Sequence, residues 1–162
     1  LENKIDSDVE LLHQLTHNLS LKETDYTIFF RLLSTMQKVD TLETALEKIN
    51  LAFYHPEEIK DAVLDQWKIW FENYLNRLQL ESATDMERKQ KMDAVNPKYV
   101  LRNYMAQLAI DKADQEDYSL INELFTLLLN PYDEQPEMQH WFAKRPDWAK
   151  EKVGCSMLSC SS

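Results

Sequence analysis

The sequence predicts an all-α protein of the helical-bundle class, and three observations carry that prediction. There is a single glycine among 162 residues. Apolar residues recur at steps of three and four along several stretches. Helix-start signals stand in front of those stretches, either a hydroxyl or acidic residue followed by Glu, or a Pro in a first turn. Glycine supplies the positive φ of tight hairpins and lets backbone approach a phosphate, so its scarcity weighs against a β-rich fold. It also excludes a P-loop, a G-x-G-x-x-G turn and a Gly-rich kinase loop, each of which needs several glycines. At 19.2 kDa the chain is sized for one domain that buries roughly 70% of the surface its unfolded form exposes.

The elements follow in order. Residues 5–19 read as a first helix opened by the capping box Ser7-Asp8-Val9-Glu10, with Leu11, Leu12, Leu15 and Leu19 inward. Residues 25–37 form a second, striped by Ile28, Phe29, Leu32, Leu33 and Met36. Thr41 caps a third carrying Leu42, Ala45, Leu46 and Ile49. The fourth starts at Pro56, with Glu57 and Glu58 complementing the helix dipole. Its face runs Ile59, Val63, Trp67, Trp70, Tyr74, Leu78, one continuous aromatic-rich stripe about 35 Å long. Thr84-Asp85-Met86-Glu87 is a second capping box, for a charged helix to Val95. Asn96-Pro97 then starts a helix to Ala113 with Val100, Leu101, Tyr104, Met105 and Leu108 inward. Asp117 caps a last main helix bearing Leu120, Ile121, Leu124, Phe125 and Leu128, which Asn130-Pro131-Tyr132 ends. One more turn is expected between Pro136 and Phe142, and extended chain after Pro146. This divides the protein into an all-helical domain, residues 1–142 with about seven helices, and a tail, residues 143–162, ending Ser-Cys-Ser-Ser.

Eighteen basic against 28 acidic residues give a net charge of −10. Only Arg88, Lys89, Lys91, Lys98 and Arg102 form a basic cluster, so a nucleic-acid partner is not expected. No apolar run approaches the ~20 residues that span a bilayer, so no membrane association is expected either. No signal peptide is visible and the two cysteines, Cys155 and Cys160, do not make a secreted disulfide scaffold; a cytoplasmic protein is expected. The chain begins at Leu1, which points to a fragment or a processed product.

Candidate chemistry is sparse. His13 and His17 stand four apart on one helical face, the ligand spacing of H-E-x-x-H, but Gln14 occupies the place of the general base and no third ligand is identifiable. Two helix-surface histidines are the plainer reading. Cys155 and Cys160 lack the further ligands zinc wants; a thiol in a terminal tail can reach a distant cysteine, while an ordinary reduced thiol is the simpler alternative. Residue types alone supply no catalytic centre.

Several stretches together are more specific. Asn96-Pro97-Lys98-Tyr99-Val100-Leu101-Arg102-Asn103-Tyr104 continues into Ala106-Gln107 and Ala109-Ile110, and is followed by Asn130-Pro131-Tyr132, Pro146-Asp147-Trp148-Ala149 and Ser159-Cys160-Ser161-Ser162. Upstream stand Asp25-Tyr26-Thr27 and Phe29-Phe30-Arg31. In this order and spacing the chain resembles the C-terminal region of the selenoprotein O family, the YdiU-type proteins of bacteria. The resemblance implies an all-helical C-terminal subdomain of a protein kinase-like fold. In that family AMP passes from ATP to Ser, Thr or Tyr hydroxyls of proteins, with Mg²⁺ or Mn²⁺ on the nucleotide. It also implies that the nucleotide- and metal-binding residues lie outside this chain, so no catalytic, cofactor-binding or metal residue is assigned here. One position maps: Cys160 matches the place of the family's selenocysteine or cysteine, a redox or regulatory residue able to pair with a cysteine of the kinase-like core. Cys155 has no such counterpart and reads as incidental. Arg102 and Asn103 are expected to fix a contact to a neighbouring element, and Trp148 to anchor the tail by burying its ring.

On this reading the partners are the kinase-like core and protein substrates, and the separated segment exposes an apolar patch that favours self-association. The alternative is a free-standing helical module that binds a protein partner and has no activity.

Overall fold

The structure is a computed structural model, and it describes residues 7–152 and Cys155. The side chain of Ser7 is not among the described atoms, so the first expected capping box falls outside them. The described residues are all-helical apart from an isolated antiparallel bridge between Thr24 and Phe53. They form two compact units, one up to Asn96 and one from Pro97.

The first unit contains α1 (Ser7–Leu21), α2 (Tyr26–Leu33), α3 (Leu42–Ile49), α4 (Asp61–Gln79) and α5 (Asp85–Asp93). Its core is the aromatic face of α4. Trp67 lies 5.5 Å from the rings of both Phe29 and Phe53, and Trp70 stacks on Tyr74 at 4.9 Å. Trp67, Trp70 and Phe71 are buried, so each contributes the large apolar area of an aromatic ring to this core. α1 lies against α4, with the Trp70 indole N–H donating to the Leu11 carbonyl at 2.9 Å and Asn18 donating to the Gln66 carbonyl at 3.1 Å. Leu11, Leu15 and Leu19 are buried as their spacing predicts; Leu12 instead faces solvent, one step off the stripe.

Three expected boundaries shift, each for a local reason. α2 stops at Leu33 rather than residue 37, because the hydroxyls of Ser34 and Thr35 fold back on the carbonyls of Arg31 and Leu32. Met36 is buried all the same. The fourth helix does not run on from Pro56. Pro56–Glu58 is a separate 3₁₀ turn, tied by a 2.6 Å ion pair from Glu58 to Lys22, and the chain bends at Asp61, whose φ is 50°. Lys22 holds the Glu58 carboxyl below its ordinary value. Ile59 and Pro56 are thereby turned toward Leu46 and Phe53, off the stripe that begins with Trp67. Thr41 and Thr84 cap α3 and α5 as expected, and Thr84 with Glu87 makes the full reciprocal box.

The second unit contains α6 (Asn103–Ala113), α7 (Ser119–Leu129), a 3₁₀ turn (Pro136–Trp141) and α8 (Trp148–Glu151). Pro97 does not start a helix. The Lys98 and Tyr99 amides donate instead to the Pro131 carbonyl, which holds this stretch out of helical conformation until Asn103. Asn96 serves the helix before it, its side chain capping the Met92 carbonyl at 2.8 Å. Tyr104 and Met105 point inward as predicted, whereas Leu101 is exposed. On α7 the buried row is Leu120, Leu124 and Leu127; Ile121 and Phe125, expected inside, lie outside. The chain after Pro146 is not extended but turns into α8, and there Ala149 is buried while Trp148 remains 44% exposed. Trp148 therefore rests edge-on against Tyr104 at 6.3 Å rather than burying its ring.

The α6–α7 connection closes on Glu116, which takes φ 61°, with Glu116 and Asp117 amides returning to the Ala113 and Lys112 carbonyls. That is the Schellman arrangement with Glu where glycine normally stands. Because a Cβ strains that conformation, Glu116→Gly is expected to stabilise the chain by about 1 kcal/mol, read as a higher urea midpoint. Asp117, expected to cap this helix, instead accepts the Ser119 amide at 2.9 Å from one residue before the N-cap, which is Tyr118. Its bonds to Ser119, with a smaller effect of Lys112, hold its carboxyl down to about 2. The folded pKa lies below the unfolded one, so the stabilisation is complete above about pH 4 and is lost as pH falls toward 2. An NMR titration should place the Asp117 midpoint near 2, and Ser119→Ala should move it upward.

Candidate functional site

The two Asn-Pro stretches of the sequence meet in the second unit. The Lys98 and Tyr99 amides reach the Pro131 carbonyl at 2.8 and 3.0 Å. The Tyr99 ring is buried and its hydroxyl donates to the Gln135 carbonyl at 3.1 Å. Lys98 is a buried cation, which in an apolar setting requires partners. Its ammonium bonds to the carboxylate of Glu134 and to Gln139 Oε1 at 2.6 Å, between the rings of Tyr99 and Phe142 at 5.5 and 5.4 Å. The motif thus fastens the 3₁₀ turn that leads into the tail.

The tail closes onto α6 from the other side. Asn103, the first residue of α6, donates from Nδ2 to the Cys155 carbonyl at 3.3 Å. Cys155 is buried in one cluster with Tyr104, Met105, Ala109, Leu120, Leu124 and Ala149. Lys152 pairs with Asp111 while its ammonium lies 5.6 Å from the Trp148 ring. This bond, aided by one from Gln107, keeps the Asp111 carboxyl below its usual value. The expected contact of Asn103 is therefore real, and its target is the tail. Cys155, read as incidental because it has no counterpart in the family resemblance, is a core residue; the signal that was available is the company of Val153, Met157 and Leu158 in the sequence.

Cys160 lies outside the described residues. His13 and His17 are both exposed on α1, beside a groove shared with Gln66 and Ile69 of α4, and belong to no group of three metal-capable side chains among the described residues. The group that does come together is His55, Glu57 and Glu58, with ligand atoms within 4.8 Å of one another. It fits an ATP-bound Mg²⁺ poorly, since Glu58 already holds Lys22 and no glycine lies near these residues in the sequence. The basic cluster is largely committed internally: Arg88 bonds the Met36 carbonyl, Lys89 pairs with Asp93, and Lys98 is buried as described. No described helix is long and apolar enough to cross a membrane.

The family model for Protein adenylyltransferase SelO matches residues 1–129. The chain belongs to the SelO protein adenylyltransferase family. Among SelO relatives, Protein nucleotidyltransferase YdiU of Flavobacterium johnsoniae is 64% identical over 157 residues, which is 97% of this chain and 30% of that protein. The YdiU protein of Rhodopirellula baltica is 44% identical, and that of Aromatoleum aromaticum 43%, each again over 97% of this chain. The chain thus spans about 30% of the length of the curated SelO relatives it matches.

The tail contact has a direct check. Asn103→Ala removes the donor from the Cys155 carbonyl, with an expected cost of about 1 kcal/mol. The Cys155 thiol should then react several-fold faster with a thiol reagent in native buffer, measured with Cys160 replaced by Ser, and Trp148→Ala should have the smaller effect.

Proposed function

We propose that this chain is the helical C-terminal subdomain of a kinase-like protein nucleotidyltransferase that moves AMP from ATP to Ser, Thr or Tyr hydroxyls of protein substrates. ATP and Mg²⁺ or Mn²⁺ bind elsewhere in that protein, and this segment braces the nucleotide-binding core and presents the tail cysteine to it. The reading is supported most by membership of the SelO family in a chain that spans about 30% of its relatives and holds one glycine. The fastening of the tail adds a physical reason. With Cys155 held by Asn103, five residues limit Cys160 to about 18 Å from that anchor. Confinement of this kind raises its effective concentration toward a cysteine on the core. A small-molecule disulfide can then oxidise the pair by exchange, the two thiols losing two protons and two electrons to it.

The test uses the full-length gene product, ATP labelled at either the α- or the γ-phosphate, and Mg²⁺ or Mn²⁺. Label from the α position should become fixed to protein and label from the γ position should not. Transfer of the γ label, or of neither, overturns the reading. Peptide mapping without reductant should find Cys160 in a disulfide, and activity should change on reduction but not in Cys160→Ser. Unchanged activity with no such disulfide removes the redox role and leaves the transferase role standing.

A further inference from the structure

The described residues of the second unit leave an apolar face open. α6 presents Ala106, Ala109 and Ala113 toward α7, and these small side chains floor a groove of about 410 Å³ between the two helices. Its walls are apolar: Ile110 from α6, Ile121 and Phe125 from α7, and Leu101 from the segment before α6. All four wall residues are exposed, Phe125 by 65%, and Leu129 continues the same helix with 60% exposed. A concave, contiguous strip of this kind marks a surface that another apolar element covers. The sequence reading placed Ile121, Phe125 and Leu101 inside, which is where their chemistry belongs. They are outside here because no described element of this chain covers them.

We infer that the α6–α7 groove is the seat for the nucleotide-binding part of the same polypeptide, an apolar helix or loop of which fills it. The inference rests on the proposed function, because it takes this chain as one segment of a longer transferase. One observation and one general argument favour that occupant over a second copy. The relatives are about three times as long as the chain, so most of the surface available to meet this groove belongs to the same molecule. A covalently linked occupant acts at an effective concentration near the millimolar range, and so excludes a second copy at ordinary protein concentrations.

Hydroxyl-radical footprinting of the wild-type full-length protein tests this without any substitution. Phe125 and Leu129 should be oxidised at least about tenfold more slowly in the native protein than in urea, with the same protection after hundredfold dilution. Native rates within about twofold of the unfolded ones overturn the inference. Protection that disappears on dilution also overturns it, and assigns the groove to a second copy. The α-phosphate transfer assay on the same preparation separates the two ideas. An active transferase with an unprotected Phe125 loses only the groove assignment. A protected Phe125 in a protein that transfers no AMP loses the transferase reading and keeps the contact.

Discussion

Helix ends govern this structure, because an α-helix leaves its last four carbonyls without partners and the usual glycine cap is all but missing. With one glycine in the chain, long polar side chains take over that duty, and in doing so they join one helix to another. Arg31 from α2 donates to the carbonyl of Asp93, the last residue of α5, and to that of Asn96 beyond it. Arg88 from α5 returns the favour at the Met36 carbonyl beyond α2. Lys38 reaches the Glu81 carbonyl after α4, while Gln79 of α4 reaches the carbonyl of Lys38. In the second unit Gln135 bonds the Leu127 and Asn130 carbonyls at the end of α7. Each bond neutralises an orphan acceptor and fixes a tertiary neighbour at once. Charge-assisted bonds of this kind are stronger than neutral ones, which suits buried cations such as Arg31 and Arg88.

The same economy explains how a strongly acidic chain holds together. Arg77 is buried between α1 and α4 and bonds both carboxylate oxygens of Asp8, at 2.7 and 3.3 Å, and Glu81 at 2.5 Å. A buried guanidinium with two carboxylate partners satisfies its fork geometry, and loss of Arg77 would strand two buried carboxylates, Asp8 and Glu81. The aromatic core on α4 supplies the apolar driving force, and these polar junctions decide which helix ends meet it. α5 is the clearest product of that division. Only Arg88 of its nine residues is fully buried, and it is held by Arg31, by Ser34 on Asp93, by Asp85 accepting the Lys38 amide, and by Arg88 itself.

The family motif residues that begin at Pro97 have a structural duty among the described residues. Lys98 and Tyr99 are bonded to Pro131 and to residues in and just before the 3₁₀ turn, and Asn103 to the tail, so this stretch is a clasp. Other residues of the same stretch, Leu101, Ala106, Ala109 and Ile110, line the apolar α6–α7 groove, so one run of sequence serves both the clasp and the groove.

The sequence alone determined the helical class, the caps at Thr41 and Thr84, and the inward stripe of Trp67, Trp70, Tyr74 and Leu78, because these follow from interactions within one turn or along one face. It also identified the family, since several motifs in register survive without knowledge of what they touch. Only the tertiary structure decided the breaks at Ser34, Asp61 and Pro97, where a Ser hydroxyl, a Lys22–Glu58 pair and the Pro131 carbonyl outcompete helical propagation. The fate of Phe125 and Cys155 was equally hidden. Hydrophobicity says that both prefer cover, but which one finds it depends on the elements that happen to lie opposite, and no periodicity within a helix records that.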